Sequence, residues 1–217
     1  MYTLLMAVLT CGLPAAAWVL WHKKTGAGLW PLCVGFVAYM LISWMRALAR
    51  VFVLSDSVRE VPWLFYLLSA LLSGLFEEAG RYFVFSKAIP NHDRWRDAVT
   101  YGIGHISAEC ILTTHYFDCD LWDCILSTLS FAEGIFFSAA LSVLVFAAVH
   151  AAGNRRLLWA AVGLHTLADV LGALLLGGII GVFSEMALQC LFTAGLCYLA
   201  WRVYRYYAIP SEFPEHA

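Results

Sequence analysis

Eight residues in this chain pair the chemistry of proton transfer and metal ligation with spacings that could bring them together. Glu77, Glu78 and Arg81 fall within five residues of the run LLSGLFEEAGRYFVF, which is otherwise apolar enough for hydrocarbon. His105 and Glu109 stand four apart in YGIGHISAEC, and His165 and Asp169 repeat that interval in GLHTLADV. His150 closes the apolar stretch FAAVH. Residues four apart share a helix face, so each carboxylate can fix the tautomer of the imidazole one turn away. By the same spacing Arg81 can neutralise Glu77, while Glu78 projects about 100° away. Glu78 is then free to act as a general base on water, and the reverse assignment of the two glutamates stays open. His105, His150 and His165 would bind a metal or stabilise an oxyanion directly. Such a set suits proton transfer at a buried site.

Those residues need elements to position them. The chain has 217 residues, of which 62% are hydrophobic and 13% charged, with a mean hydropathy of +0.77. A water-soluble domain is nearer half apolar and a quarter charged, so the solvent here is a lipid bilayer. The net charge of -2 and the lack of a Lys/Arg block exclude a nucleic-acid partner. About 20 apolar residues cross a bilayer as helix. Polar punctuation gives seven candidate spans, roughly 2–21, 28–53, 62–87, 97–114, 130–152, 156–178 and 182–207. The first lacks a positive leading region and reads as a retained span, not a cleaved signal. The expectation is one all-α polytopic helix bundle over residues 1–217, multi-pass in a cell membrane.

Lys23, Lys24, Lys87, Arg94, Arg96, Arg155, Arg156, Arg202 and Arg205 all follow or end odd-numbered spans. The positive-inside rule therefore puts the N-terminus outside and the C-terminus in the cytoplasm. Arg46, Arg50 and Arg59 are exceptions on the outer side, partly offset by Asp56 and Glu60. Counting 1.5 Å per residue from the span ends places Glu78, His105, His150 and His165 in the cytoplasmic half of the bilayer. Ionisable groups inside a membrane cost roughly 2.5–3.5 kcal/mol each, so four helices offering them at one depth point to a site. Gly102 and Gly104 would let another helix approach His105 closely.

Blander readings exist for each piece. A buried Glu–Arg pair can be a packing clip, and a lone His150 an interhelical contact. Glu133 and Glu185 begin spans and read as interfacial. In DCDLWDC, a disulfide between Cys119 and Cys124 is admissible if that loop is extracytoplasmic, and Asp118, Asp120 and Asp123 read as a solvated acidic loop. Trp21, Trp30, Trp63, Trp95, Trp159 and Tyr204 read as interface anchors.

The order EEAGRY, GIGHISAE, FAAVH, GLHTLAD resembles the YhfC-type intramembrane metalloproteases, relatives of the CPBP, CAAX-prenyl-endopeptidase and PrsW group. The resemblance covers about residues 70–170. It implies an intramembrane endopeptidase of a bacterial cytoplasmic membrane, acting on membrane-associated peptide substrates. It also implies a site built from the Glu77–Glu78–Arg81 motif, Phe146 with His150, and His165 with Asp169. His105 with Glu109 is typical of the YhfC branch. Arg81 falls one residue earlier than in many CAAX-type members, which argues against a prenylated substrate. Three imidazoles with a carboxylate and a water suit zinc, and a metal-free glutamate mechanism is the alternative. The superfamily also contains the anterior-pharynx-defective subunit of gamma-secretase, a scaffold. A non-catalytic scaffold is thus one rival reading. A proton-coupled transporter is the other, although no internal repeat supports it.

Overall fold

The computed structural model describes residues 2–54, 56–114, 120–151 and 155–207. Every regular element among them is helical. In chain order they are α1 (Tyr2–Thr25), α2 (Trp30–Val53), the short α3 (Asp56–Arg59), α4 (Pro62–Phe83), α5 (Trp95–Thr113), α6 (Leu121–Phe146), α7 (Arg155–Leu176) and α8 (Val182–Tyr207). One π-helical turn, Val84–Ala88, extends α4, and another, Ala147–Ala151, extends α6. Local chemistry sets several of these edges. Prolines stand in the first turn of α2 and α4, where a missing N–H costs nothing. Asp120 and Asp123 form a reciprocal capping box that starts α6. That cap begins the helix at 121 and not at 130, so part of the supposed acidic loop is helical. The proposed Cys119–Cys124 pairing and Asp118 lie outside the described residues.

The molecule is a polytopic membrane bundle with its polarity inverted. Leu41, Trp44, Phe52, Phe136, Trp159 and Leu191 are exposed, whereas Glu77, Glu78, Arg81, His105 and His165 are buried. Water would reverse that distribution; hydrocarbon requires it. Five helices (α1, α2, α6 with its extension, α7, α8) are long and apolar enough to cross a membrane. The two further long helices, α4 and α5, carry Glu77, Glu78, Arg81, His105 and Glu109 between them, which lower their apolarity. Packing shields them. α5 touches α1, α2 and α6, and α4 touches α2 and α7.

Gly104 fixes the closest of these contacts. A Cβ there would lie 2.0 Å from the carbonyl oxygen of Leu32, so α2 can reach α5 only because that atom is missing. Gly102 plays the same part toward Ala139 of α6. Replacing Gly104 with valine is expected to cost at least about 1–3 kcal/mol, because a backbone carbonyl cannot rotate away. Thermal unfolding in detergent should show the loss. Gly163→Ala, whose added Cβ meets nothing within 4 Å, should leave the midpoint unchanged or raised.

Candidate active site

α4, α5 and α7 bring their ionisable residues to one point near the middle of the bundle. The His105 Nε2 lies 3.0 Å from Glu77 Oε2, and the His165 Nε2 lies 3.8 Å from that same oxygen. His165 Nδ1 is 2.7 Å from Glu78 Oε1, a bond in which the ring N–H donates to the carboxylate. That fixes the tautomer and turns the Nε2 lone pair toward Glu77 and toward Asp169, whose Oδ1 is 3.8 Å away. Tyr39 meets the His105 ring edge-on at 4.7 Å and Phe137 meets His165 at 5.5 Å, so packing holds both imidazoles in orientation.

The arginine pairing differs from the sequence expectation. Arg81 is beside Glu78, with its Nε 3.8 Å from Oε2, and Glu77 is paired instead with Arg46 of α2. Arg81 projects toward α6, where its Nη1 donates to the Ser138 carbonyl at 3.0 Å and to Ser142 Oγ at 3.2 Å. Its Nη2 reaches Ser138 Oγ at 3.2 Å. Small polar residues on an apolar helix thus accept a guanidinium. Removing it by Arg81→Met should destabilise the protein by about 3–5 kcal/mol, since Glu78 would be left a buried carboxylate with only the His165 N–H to balance it. Arg81→Lys should recover only part of the unfolding midpoint in detergent, because one ammonium cannot span those acceptors.

Arg46 and Ser73 are participants that the sequence reading missed. Arg46 and Arg50 both donate to Ser73 Oγ, at 3.2 and 3.1 Å. The signal was present: these two arginines were exceptions to the charge rule for orientation, and a misplaced cation needs a partner.

His150 stands apart from the other candidates. It lies on the π-turn after α6, half-buried, with its ring 4.6 Å from that of Phe146. Phe146 in turn packs on Trp95 at 5.1 Å, at the very start of α5. His105 is ten residues, or roughly 15 Å, further along that helix. His105 and His165 stand near the midpoints of α5 and α7.

Glu77, His105 and Glu109 offer ligand atoms that all lie within 4.8 Å of one another. Glu109 also lines a cavity of about 220 Å³ between α5, α6, α7 and α8, together with His165, Asp169, Glu133 and Glu185. Glu78 is not on that wall. Glu133, expected at an interface, faces this cavity and accepts a hydrogen bond from Thr193. The space is polar enough to hold water. A divalent metal fits the donor set: a mixed imidazole–carboxylate ligand group is preassembled, and the four carboxylates (Glu77, Glu78, Glu109, Asp169) outnumber the two arginines paired with them.

With fold and site in view, comparison with known proteins gives the family of the chain. Residues 6–121, more than half of it, match the YhfC intramembrane metalloprotease family, and the chain belongs to that family. It is also 29% identical over 108 residues to the uncharacterized membrane protein YhfC of Bacillus subtilis (strain 168). That alignment covers 47% of this chain and 42% of the relative, so the match spans less than half of the longer protein. The family match contains Glu77, Glu78, Arg81, His105 and Glu109 and ends before His150, His165 and Asp169.

Proposed function

We propose that the protein is an intramembrane endopeptidase that hydrolyses peptide bonds of membrane-associated substrates, in a bacterial cytoplasmic membrane. The observation that carries this reading is the His165 imidazole. Glu78 fixes it on one side, and its other nitrogen faces Glu77 and Asp169 beside a polar cavity. Glu77, His105 and Glu109 would hold a metal, for which zinc is the best match. A bound zinc ion would supply a Lewis acid that polarises the scissile carbonyl and acidifies a water.

The chain's own residues supply the rest. His165 Nε2 takes a proton from water in the cavity, and Glu78 stabilises the imidazolium that results. The same nitrogen returns the proton to the leaving amine. Arg46 holds Glu77 in place, and Arg81 holds Glu78. The base assigned from spacing, Glu78, thus becomes the group that orients the base, because it does not reach the cavity. Thr113 near the end of α5 and Glu185 at the start of α8 line the cavity. Water therefore enters from the end of the bundle opposite Lys24 and Arg94.

Mapping of new N-termini in membranes that carry the wild-type protein or His165→Gln, at matched expression, tests this. Cleavage sites within or beside spanning segments should appear with the wild type and vanish with the variant. Identical termini in both would contradict the reading. A scaffold is the second reading, favoured by the fact that each glutamate faces an arginine. It predicts that His165→Gln changes assembly with partner proteins and leaves every terminus unchanged.

A further inference from the structure

A second cavity, of about 760 Å³, lies at the opposite end of the bundle, where α1 ends, α5 begins and α8 ends. Lys24, Arg94 and Arg96 line it, against one acid, Asp93. Arg96 is built into the wall: its Nη1 donates to the Thr25 carbonyl at 2.8 Å, and its own carbonyl accepts from Trp21 Nε1 at 3.3 Å. Trp21 and Trp201 flank the space, and Val143 and Ala200 form apolar lining.

Each feature restricts the ligand. Three cations around a chamber of this size call for an anion with several acceptor oxygens, and a phosphate supplies them. Tryptophans set the depth at the headgroup layer, where amphipathic rings reside. The apolar lining alongside the cations suits a molecule that is anionic at one end and hydrocarbon at the other. Basic pockets between spanning helices bind acidic headgroups on the side to which Lys and Arg are biased, and this end carries that bias. A free phosphate ester would satisfy the cations but leave the apolar lining wet.

We propose that this chamber is a binding site for the phosphodiester headgroup of an anionic phospholipid, with Lys24, Arg94 and Arg96 as its cationic contacts. The site lies away from the acid–imidazole cluster, and the proposal holds whether or not that cluster hydrolyses peptides.

Native mass spectrometry of the full chain in detergent, titrated with phosphatidylglycerol, phosphatidylcholine or inorganic phosphate, tests it. The wild-type protein should retain phosphatidylglycerol in preference to phosphatidylcholine. Lys24→Gln combined with Arg94→Gln should weaken that retention about tenfold or more. Both side chains are exposed, so thermal unfolding without lipid should not change. If the pair does prove unstable, Arg94→Gln alone should still show a loss of several-fold. Equal retention of the two lipids, or undiminished retention by the variants, would overturn the proposal. Saturation by inorganic phosphate with no lipid preference would assign the chamber to a soluble phosphate ester, which also overturns it.

Discussion

Replacing Glu77 with glutamine should abolish cleavage while the protein still inserts and folds. The isosteric amide keeps one oxygen, which can continue to accept from Arg46. The other position becomes an N–H donor, facing His105 Nε2 at the 3.0 Å now spanned by a hydrogen bond to a carboxylate oxygen. An amide nitrogen cannot ligate a metal, and the ligand group of Glu77, His105 and Glu109 loses its central member. The expected loss in kcat/KM is at least about 10³-fold. Arg46 loses its counter-charge, so stability should fall by about 1–3 kcal/mol. If the variant were a mere packing defect, stability would fall and cleavage per folded molecule would not. The ratio of the two effects, read from unfolding midpoints and initial rates on one preparation, separates the cases.

The second large effect concerns the pair His165 and Glu78. His165→Gln removes the base, and Glu78→Gln removes the group that fixes its tautomer across the 2.7 Å contact. Each should lower kcat by about 10²–10⁴-fold. Because the two act as one unit, the double variant should be scarcely slower than His165→Gln alone. Independent roles would instead multiply. A merely structural Glu78 would move unfolding midpoints and leave that coupling at zero. The measurement is a double-mutant cycle on initial rates, scaled to folded protein.

The helices were legible because hydrophobic length is a strong signal: each of the seven segments read as spans overlaps a long helix, and five of those helices are long and apolar enough to cross a membrane. Their edges were less so, as α6 shows, where the Asp120–Asp123 capping box extends the helix into a stretch that composition marks as loop. The acids and imidazoles were legible because charge in an apolar run has a cost. Their partners were not. Helical spacing favours Arg81 for Glu77, yet the guanidinium is drawn to Ser138 and Ser142 on a helix nearly 60 residues later in the chain. Arg46 reaches Glu77 from α2 across a contact that Gly104 helps to permit by seating α2 against α5. His150 fits a sequence motif, but position along an axis depends on where helices start and on which neighbour each faces. Such quantities arise from packing and leave no trace in local spacing.

Metal analysis of purified protein, beside Glu77→Gln, His105→Ala, His150→Ala and His165→Gln, tests the central claim most directly. After incubation with zinc and removal of the excess, the wild-type protein should hold about one ion per chain. His150→Ala and His165→Gln should keep it, while Glu77→Gln and His105→Ala should lose it. A folded wild-type protein that takes up no zinc, or one whose zinc survives Glu77→Gln and His105→Ala together, would contradict the account.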